Sequence, residues 1–215
     1  MYTFNEVLEA GASYEGTRPD EPTAETVYML SYTSGTTGNP KAAKLTHGNF
    51  MASATASKYG GIKPELDDIA ISWLPLAHCF EQVLFTMCII NGVKIGYYSG
   101  DVFKIAEDCM ALKPTMFPGV PRIYNRIYDT IRQKLAELTP VRSYVAHKAI
   151  ASKLYYLEQN GTLDYFAYDK IVFSKFKAFL GGNVRMMLTG ASPISEEVIN
   201  FLKVCFCCPI IEGYG

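Results

Sequence analysis

The chain has 215 residues, of which 49% are hydrophobic and 19% are charged, and its formal net charge is −1. This composition predicts a globular protein with enough apolar side chains for a sizeable core, arranged as one large domain or two small ones. The balanced charge, without long runs of Lys or Arg, argues against nucleic acid as a partner, because proteins that bind it carry a concentrated basic face.

The sequence shows no targeting signal and no stretch of transmembrane length. The first residues lack the basic and apolar regions of a signal peptide. The longest apolar stretch, residues 83–90, is far shorter than the ~20 residues that cross a bilayer. The six cysteines form no paired CxxC motifs, so we interpret them as buried thiols of a reduced compartment rather than as metal ligands. We expect a cytoplasmic protein, and peripheral attachment to the cytosolic face of a membrane stays an open alternative.

The first part of the chain predicts a helix, a loop and two short strands in that order. Thr3 and Glu6 have the spacing of a capping box, which indicates a helix start. An apolar, aromatic-rich strand is predicted over 27–33, after a loop rich in Pro, Thr and acidic residues. A Gly/Ser/Thr loop separates it from a second strand at 42–45, and Thr46 is placed to cap the helix that follows.

Beyond residue 60, short apolar segments alternate with longer segments of helical character. This alternation predicts an α/β fold built on a mainly parallel sheet flanked by helices. The predicted strands lie at 69–74, 93–98, 184–188 and 210–211, and the predicted helices lie at 80–90, 102–112, 121–138, 141–159 and 195–206. Ser195, ahead of two glutamates, is placed to start the last of these helices.

The strongest motif is the segment between the first two strands, Tyr32-Thr-Ser-Gly-Thr-Thr-Gly-Asn-Pro-Lys41. Its glycines allow tight turns whose N–H groups point at an anion, its hydroxyls donate to phosphate oxygens, and Lys41 adds a positive charge. An ordinary polar turn is the alternative, since Gly/Ser/Thr turns are common. A Walker loop does not fit, because Asn39 and Pro40 separate Gly38 from Lys41.

This segment resembles the phosphate-loop signature of the adenylate-forming superfamily, which includes acyl-CoA synthetases, luciferases and peptide-synthetase adenylation domains. Thr46-His-Gly-Asn49 follows it at the distance usual in that superfamily. The chain departs from the pattern at Ala42, where a glycine is usual. The methyl group removes no donor, so the departure affects only the expected conformation of the loop.

Further segments are similar to the long-chain fatty-acyl-CoA synthetases, and the resemblance runs from about Thr26 to Gly215. The similar segments are Trp73-Leu-Pro-Leu-Ala-His-Cys-Phe-Glu-Gln82, Phe117-Pro-Gly-Val-Pro-Arg-Ile-Tyr-Asn-Arg-Ile-Tyr-Asp129, Leu188-Thr-Gly-Ala-Ser-Pro-Ile-Ser195 and Glu212-Gly-Tyr-Gly215. In that family the first segment carries an active-site histidine, the third contacts acyl chain and adenine, and the fourth begins the Tyr-Gly-x-Thr-Glu motif.

The resemblance implies ATP-dependent activation of a long-chain fatty acid. The carboxylate would attack the α-phosphorus of ATP to give acyl-AMP and pyrophosphate, and the thiol of coenzyme A would then displace AMP. Catalytic roles fall on Lys41, which would hold the β- and γ-phosphates, and on His78, which would orient the carboxylate. Thr36 would help to hold Mg²⁺. The other nucleotide and acyl contacts implied by the resemblance are Thr33, Ser34, Gly35, Thr36, Thr37, Gly38, Gly190, Ala191, Ser192, Pro193, Glu212, Gly213, Tyr214 and Gly215.

Without the resemblance, several of these residues have structural interpretations. A histidine in the place of His78 is more often a hydrogen-bonded core residue than a catalytic one, and Tyr214 is equally read as a packed core tyrosine. Arg122 and Arg126, one helical turn apart, are better read as a solvated helix face than as a contact to the phosphates of coenzyme A. Because ligands gather at the carboxyl ends of parallel strands, we expect the phosphate loop, His78, Gly190 and Tyr214 to converge there.

The resemblance further predicts that residues 1–215 are part of an AMP-binding (adenylation) domain, with an N-terminal segment and a C-terminal domain outside the sequence. Unpaired strand edges of such a fragment favour aggregation or a homodimer. The alternatives are an adenylate-forming enzyme of another branch, such as an aryl-CoA ligase or a luciferase-like oxidase, and a non-catalytic scaffold that binds nucleotide or acyl groups. The lysine spacing disfavours a plain NTPase.

Overall fold

The computed structural model describes residues 2–16, 20–33, 41–56, 59–163 and 168–213. The strands are β1 (Val27–Thr33), β2 (Lys41–Thr46), β3 (Ile69–Ser72), β4 (Lys94–Tyr97), β5 (Met116–Gly119), β6 (Met186–Thr189) and β7 (Ile210–Glu212). The helices are α1 (Phe4–Ala12), α2 (His47–Ala56), α3 (Cys79–Asn91), α4 (Ile105–Leu112), α5 (Pro121–Ala136), α6 (Pro140–Asn160), α7 (Ser174–Ala178) and α8 (Glu196–Phe206).

The strands form a two-stranded antiparallel hairpin, β1–β2, and a five-stranded parallel sheet. The order in the sheet is β4-β3-β5-β6-β7, and every neighbouring pair is parallel. Parallel neighbours require crossover connections, which the helices provide. The predicted α/β class with a mainly parallel sheet flanked by helices is confirmed.

Apolar side chains cover both faces of the sheet, because successive strand residues point to opposite sides. Phe117 and Met187 belong to a cluster with residues of α5, α6 and α8, whereas their neighbours Met116 and Met186 belong to a cluster with residues of α2 and α3. The fold therefore has three layers, with the sheet in the middle. The α2–α3 layer is the one that carries the predicted active-site histidine.

Three predicted helix caps are confirmed by side-chain hydrogen bonds. The Glu6 N–H donates to Thr3 Oγ1 over 3.3 Å, and the Thr3 N–H donates to Glu6 Oε2 over 2.6 Å, which completes the capping box of α1. The Asn49 N–H donates to Thr46 Oγ1 at the start of α2 over 3.2 Å. Ser195 caps α8 in the same way. Local sequence was sufficient here because the cap and the helix are neighbours in the chain.

The sequence prediction missed strand β5, which lies between β3 and β6 in the sheet. Its four residues, Met116-Phe-Pro-Gly119, are buried, but the proline argues against a central strand because it has no N–H to donate. In the structure β5 pairs with β3 at Met116, and the Pro118 carbonyl oxygen accepts from the Trp73 indole N–H over 2.7 Å. The prediction also missed α7 and the π-helical turn Asp169–Phe173 before it, which are too short to show a period.

Candidate active site

The hairpin β1–β2 carries the predicted phosphate loop at its tip. Thr33 and Lys41 are paired across the two strands, so they mark the two ends of the seven-residue connection. Lys41 is exposed at the start of β2. The predicted contacts Ser34, Gly35, Thr36, Thr37 and Gly38 lie outside the described residues, as does the side chain of Thr33.

Side-chain contacts hold the hairpin against α2 and α3. The Tyr28 hydroxyl in β1 donates to Gln82 Oε1 in α3 over 3.0 Å. The same ring packs edge-on against Phe50 and His47 of α2, with centroid separations of 4.9 and 5.0 Å. Because Gln82 lies one helical turn after His78, the hairpin and the predicted active-site histidine are attached to the same end of α3.

His78 lies at the N-cap of α3, where its ring is exposed. The Phe80 N–H donates to His78 Nδ1 over 3.2 Å, so Nδ1 is an acceptor and carries no proton. In the neutral ring the proton therefore lies on Nε2, which is available to donate to an oxygen of a bound carboxylate. The alternative interpretation of His78 as a core residue is wrong, because the residue is exposed in the structure.

Two glycine-containing segments meet beside the first turn of α3, at the carboxyl edge of the sheet. The Gly213 N–H donates to the Thr189 carbonyl oxygen over 2.7 Å, which extends the β6–β7 pairing by one residue. A Cβ atom on Gly190 would lie 3.1 Å from the Gly213 carbonyl oxygen and 3.5 Å from the Phe80 ring. Gly190, Gly213 and the Phe80 ring are therefore brought together, as expected from the ends of parallel strands, and the Phe80 N–H links this edge to the His78 cap.

The residues that follow Gly190 form an exposed turn at the same edge. Ala191 has φ +72°, a left-handed conformation that is uncommon for a residue with a Cβ atom. Ser192 and Pro193 continue the turn with exposed side chains, and Glu212 is exposed at the end of β7. The predicted contacts Tyr214 and Gly215 come directly after the described residues, so their positions stay predictions.

Tyr124, which the sequence analysis did not single out, joins the carboxyl ends of two central strands. Its buried hydroxyl lies 3.0 Å from the carbonyl oxygen of Phe117 in β5 and 3.0 Å from that of Leu188 in β6. A Cβ on Gly119 would approach the Tyr124 ring to 3.0 Å, so the glycine leaves room for the ring. Burial raises the pKa of Tyr124 well above its usual value, which keeps the hydroxyl a donor. No local pattern identifies this role, because the partners are distant in the chain.

The contacts of Arg122, of Arg126 and of the cysteines indicate structural rather than catalytic roles. Arg122 and Arg126 are exposed on α5, and the Arg126 guanidinium lies 5.3 Å from the Phe103 ring centroid. All six cysteines are free, and burial raises the pKa of the Cys88 and Cys109 thiols to about 12. Such thiols are protonated and unreactive at neutral pH. Among the described residues, no three His, Cys, Asp or Glu side chains are grouped as metal ligands.

Comparison with known proteins decides the family. The family model described as "AMP-binding enzyme" matches residues 2–215. The chain belongs to this family. The chain is 44% identical over 218 aligned residues to long chain acyl-CoA synthetase 7, peroxisomal, of Arabidopsis thaliana. This alignment covers 100% of the chain and 30% of the relative. It is 40% identical to long-chain-fatty-acid–CoA ligase 5 of Mus musculus, with coverage of 92% and 29%. The predicted resemblance is confirmed.

Solved structures show the same fold at lower sequence identity. The adenylation domain of a carboxylate reductase from Mycobacterium chelonae has a TM-score of 0.71 and 21% identity, over 98% of the present chain and 30% of that protein. The A-PCP didomain of the carboxylic acid reductase of Segniliparus rugosus, in complex with AMP, has a TM-score of 0.69 and 22% identity, with coverage of 98% and 27%.

The chain spans about 30% of the length of the curated relatives that it matches. Within the part of the chain that the structure describes, no helix has both the length and the apolar character needed to cross a bilayer.

Proposed function

We propose that this chain is part of the adenylation domain of an ATP-dependent long-chain fatty-acid–CoA ligase. The observation that carries the proposal is the meeting of Gly190, Gly213 and Phe80, whose N–H donates to the His78 cap, at one edge of a parallel sheet. Residues 1–215 then supply one part of the domain, and an N-terminal segment and a C-terminal domain complete the enzyme. The relatives of this chain are named as long-chain acyl-CoA synthetases and ligases, which supports a fatty acid as the substrate.

The acid substrate binds at the N-terminal end of α3. The Nε2–H of His78 donates to one oxygen of the fatty carboxylate and leaves the other oxygen to attack the α-phosphorus of ATP. The first turn of α3 adds the positive end of the helix dipole, which favours an anion there. Positioning the attacking oxygen in line with the leaving pyrophosphate is the main contribution that side chains make to phosphorus chemistry.

The nucleotide lies between the hairpin tip and the edge formed by Gly190 and Gly213. Lys41 and the loop residues Thr33–Gly38 hold the β- and γ-phosphates, since hydroxyls, N–H groups and an ammonium complement a polyphosphate. The turn Gly190–Pro193 and the segment Glu212–Gly215 enclose adenine. The three glycines in these segments have no side chains, so a planar base can approach the backbone closely. Tyr214 stacks on this base.

Mg²⁺ would bind here mainly through phosphate oxygens and water, with few protein ligands. We propose the Thr36 hydroxyl as the protein ligand. When bound, the metal neutralises charge on the phosphate oxygens. In the second half-reaction the thiol of coenzyme A loses its proton to solvent, and its sulfur attacks the acyl carbon of acyl-AMP. AMP leaves with the electron pair of the broken acyl–phosphate bond, which gives the thioester.

Exposed apolar side chains on the hairpin need cover in the complete protein. Val27, Leu30 and Tyr32 are about half exposed or more, although they belong to strand β1. We propose that further segments of the enzyme or a second copy in a homodimer cover them. We also keep peripheral attachment to the cytosolic face of a membrane as part of the proposal.

The test is fatty-acid-dependent exchange of pyrophosphate into ATP by the full-length enzyme. We expect exchange with a long-chain acid, and a loss of at least about 100-fold in Lys41→Ala, because a charge that stabilises the transition state is removed. Lys44→Ala is the matched control, since Lys44 is exposed on the same strand. Exchange only with an aromatic acid would keep the family and overturn the substrate. ATP binding without exchange for any carboxylate would favour the non-catalytic scaffold.

A further inference from the structure

A buried acid lies one turn inside helix α3, next to the proposed carboxylate site. Glu81 is only 2% exposed, although glutamate is rarely buried without a charged partner. The roles proposed above for the hairpin, His78 and the glycine edge do not use it. Its neighbours in the fold are mostly apolar, since it lines a cavity of about 20 Å³ together with Leu84, Phe85, Met116 and Leu188.

The Glu81 carboxyl makes one side-chain hydrogen bond. Ser72 Oγ, at the end of strand β3, donates to Glu81 Oε1 over 2.6 Å. Oε2 has no hydrogen-bond partner among the residues that the structure describes. Burial raises the pKa of Glu81, and the Ser72 hydrogen bond opposes this only in part. An apolar side chain of similar size would avoid the cost of burying this group.

The direction of the Glu81 side chain is unusual for its place in the helix. With His78 as the N-cap, Glu81 is the third helical residue, where a glutamate commonly turns back to accept from the N-cap N–H. Here the His78 N–H donates to the Pro75 carbonyl oxygen over 2.9 Å instead. The carboxyl is therefore not required by the cap and is directed inward to the sheet.

The Ser72–Glu81 hydrogen bond closes the connection that carries His78. The connecting segment runs from the end of β3 to the start of α3, so the bond joins its two anchors. Two further bonds restrain the segment: the Trp73 indole N–H donates to the Pro118 carbonyl oxygen, and Gln82 Nε2 donates to the Leu76 carbonyl oxygen, both over 2.7 Å. Of these three bonds, only the one from Ser72 fixes the first turn of α3 directly to the strand end.

We propose that Glu81 is a positioning residue that, through Ser72, fixes the first turn of α3 and thereby the direction of His78 Nε2–H at the carboxylate site. This inference rests on the proposed function, because His78 must orient a substrate for its direction to matter. Glu81 itself touches no reacting atom. Its part in the site is to hold, through its hydrogen bond with Ser72, the geometry on which the site depends.

The test compares Glu81→Met, Ser72→Ala and the conservative Glu81→Gln in the full-length enzyme, by pyrophosphate exchange and thermal unfolding. We expect Glu81→Met and Ser72→Ala to lower kcat for exchange by about tenfold or more, with the KM for ATP unchanged. A small misplacement of a group that positions the substrate lowers the rate strongly. Glu81→Gln keeps an acceptor for the Ser72 hydroxyl, so its kcat for exchange should stay within about threefold of the wild-type value. Glu81→Met should unfold at the same or a higher temperature. Cys88→Ala, which trims the same buried helix face, is the matched control and should lower stability but not exchange.

A double-mutant cycle with His78→Ala separates positioning from general damage. If Glu81 acts through His78, adding Glu81→Met to His78→Ala should cause no further loss, because the group to be positioned is already absent. Multiplicative losses, or a Gln variant as impaired as Met, would overturn the inference while leaving the proposed function intact. A wild-type enzyme without carboxylate-dependent exchange would overturn both.

Discussion

At the scale of single residues, His78 shows how one side chain serves two purposes. Its Nδ1 accepts from the Phe80 N–H and caps α3, which leaves the Nε2–H directed away from the helix. Capping and substrate orientation are therefore coupled, and a simple alanine substitution removes both. Substitutions that keep only the cap separate the two contributions.

We predict that His78→Ala destabilises the protein by about 1 kcal/mol, the usual cost of losing an N-cap. His78→Asn should restore most of this stability, because asparagine is a favourable N-cap residue. Both variants should show strongly reduced but measurable fatty-acid-dependent exchange, since neither presents the Nε2–H. Denaturant unfolding and the exchange assay check this together. An Asn variant with wild-type exchange would show that the ring is only a cap.

A second residue-scale prediction concerns pH and the ion pair between Asp68 and Arg185. Burial by itself raises the pKa of the Asp68 carboxyl, but hydrogen bonds from Arg185, Thr115 and the Glu65 N–H outweigh it, so the pKa lies below its usual value of 3.8. A lowered folded-state pKa contributes stability above the unfolded pKa and loses it as the pH falls through the folded value.

The stability of the wild type should therefore fall more steeply below about pH 4 than that of Asp68→Asn, which has no carboxyl to titrate there. At neutral pH the Asn variant should be the less stable one, because Arg185 loses its paired carboxylate. Urea unfolding at pH 7 and pH 3 measures the difference. Parallel pH profiles for the two proteins would contradict the assignment.

At the scale of secondary-structure elements, the order of the sheet depends on links between strand ends. Tyr124 of α5 reaches the carbonyl oxygens of Phe117 in β5 and Leu188 in β6. Both strands are only four residues long, so few ladder hydrogen bonds hold their carboxyl ends in register. The hydroxyl thus supports the edge at which Gly190 and Gly213 meet.

Tyr124→Phe should destabilise the protein by about 1–3 kcal/mol, because buried carbonyl groups lose a donor while the ring volume is retained. Tyr128→Phe on the same helix is the control. The Tyr128 hydroxyl contacts Glu197 and Arg132 at the surface, where water replaces the lost partner, so a much smaller effect is expected. Chemical denaturation of both variants checks the prediction, and equal effects would refute it.

At the scale of the whole molecule, the chain corresponds to about 30% of its curated relatives. It contains the hairpin, the α3 N-terminus and the Gly190–Gly213 edge, which in our proposal bind phosphates, carboxylate and adenine. In our proposal, an N-terminal segment and a C-terminal domain supply the remaining ligands of the site.

We therefore predict that the purified 215-residue chain forms no acyl-CoA from fatty acid, ATP and coenzyme A, whereas the full-length enzyme does. The physical reason is that binding some of the reacting groups does not align them without the remaining ligands. A thioester assay with both proteins at equal concentration is the measurement. Robust turnover by the short chain would contradict the proposed division of the active site.

The sequence by itself determined the family, the α/β class and most helices and strands, because these depend on local composition and on motifs of neighbouring residues. The helix caps Thr3, Thr46 and Ser195 were readable for the same reason. Strand β5 was not readable from local sequence, because Pro118 contradicts the local rule for central strands. Its carbonyl oxygen accepts a hydrogen bond from Trp73, which is 45 residues away in the chain.

Only the tertiary structure decided which of the predicted site residues come together. It brings the segment of His78 beside Gly190 and Gly213 and ties the hairpin to α3 through Tyr28 and Gln82. It also identified Tyr124 and the Ser72–Glu81 pair, whose roles consist of contacts between separate elements. Such contacts are created by the packing of helices on a sheet, and no pattern of neighbouring residues in the chain encodes them.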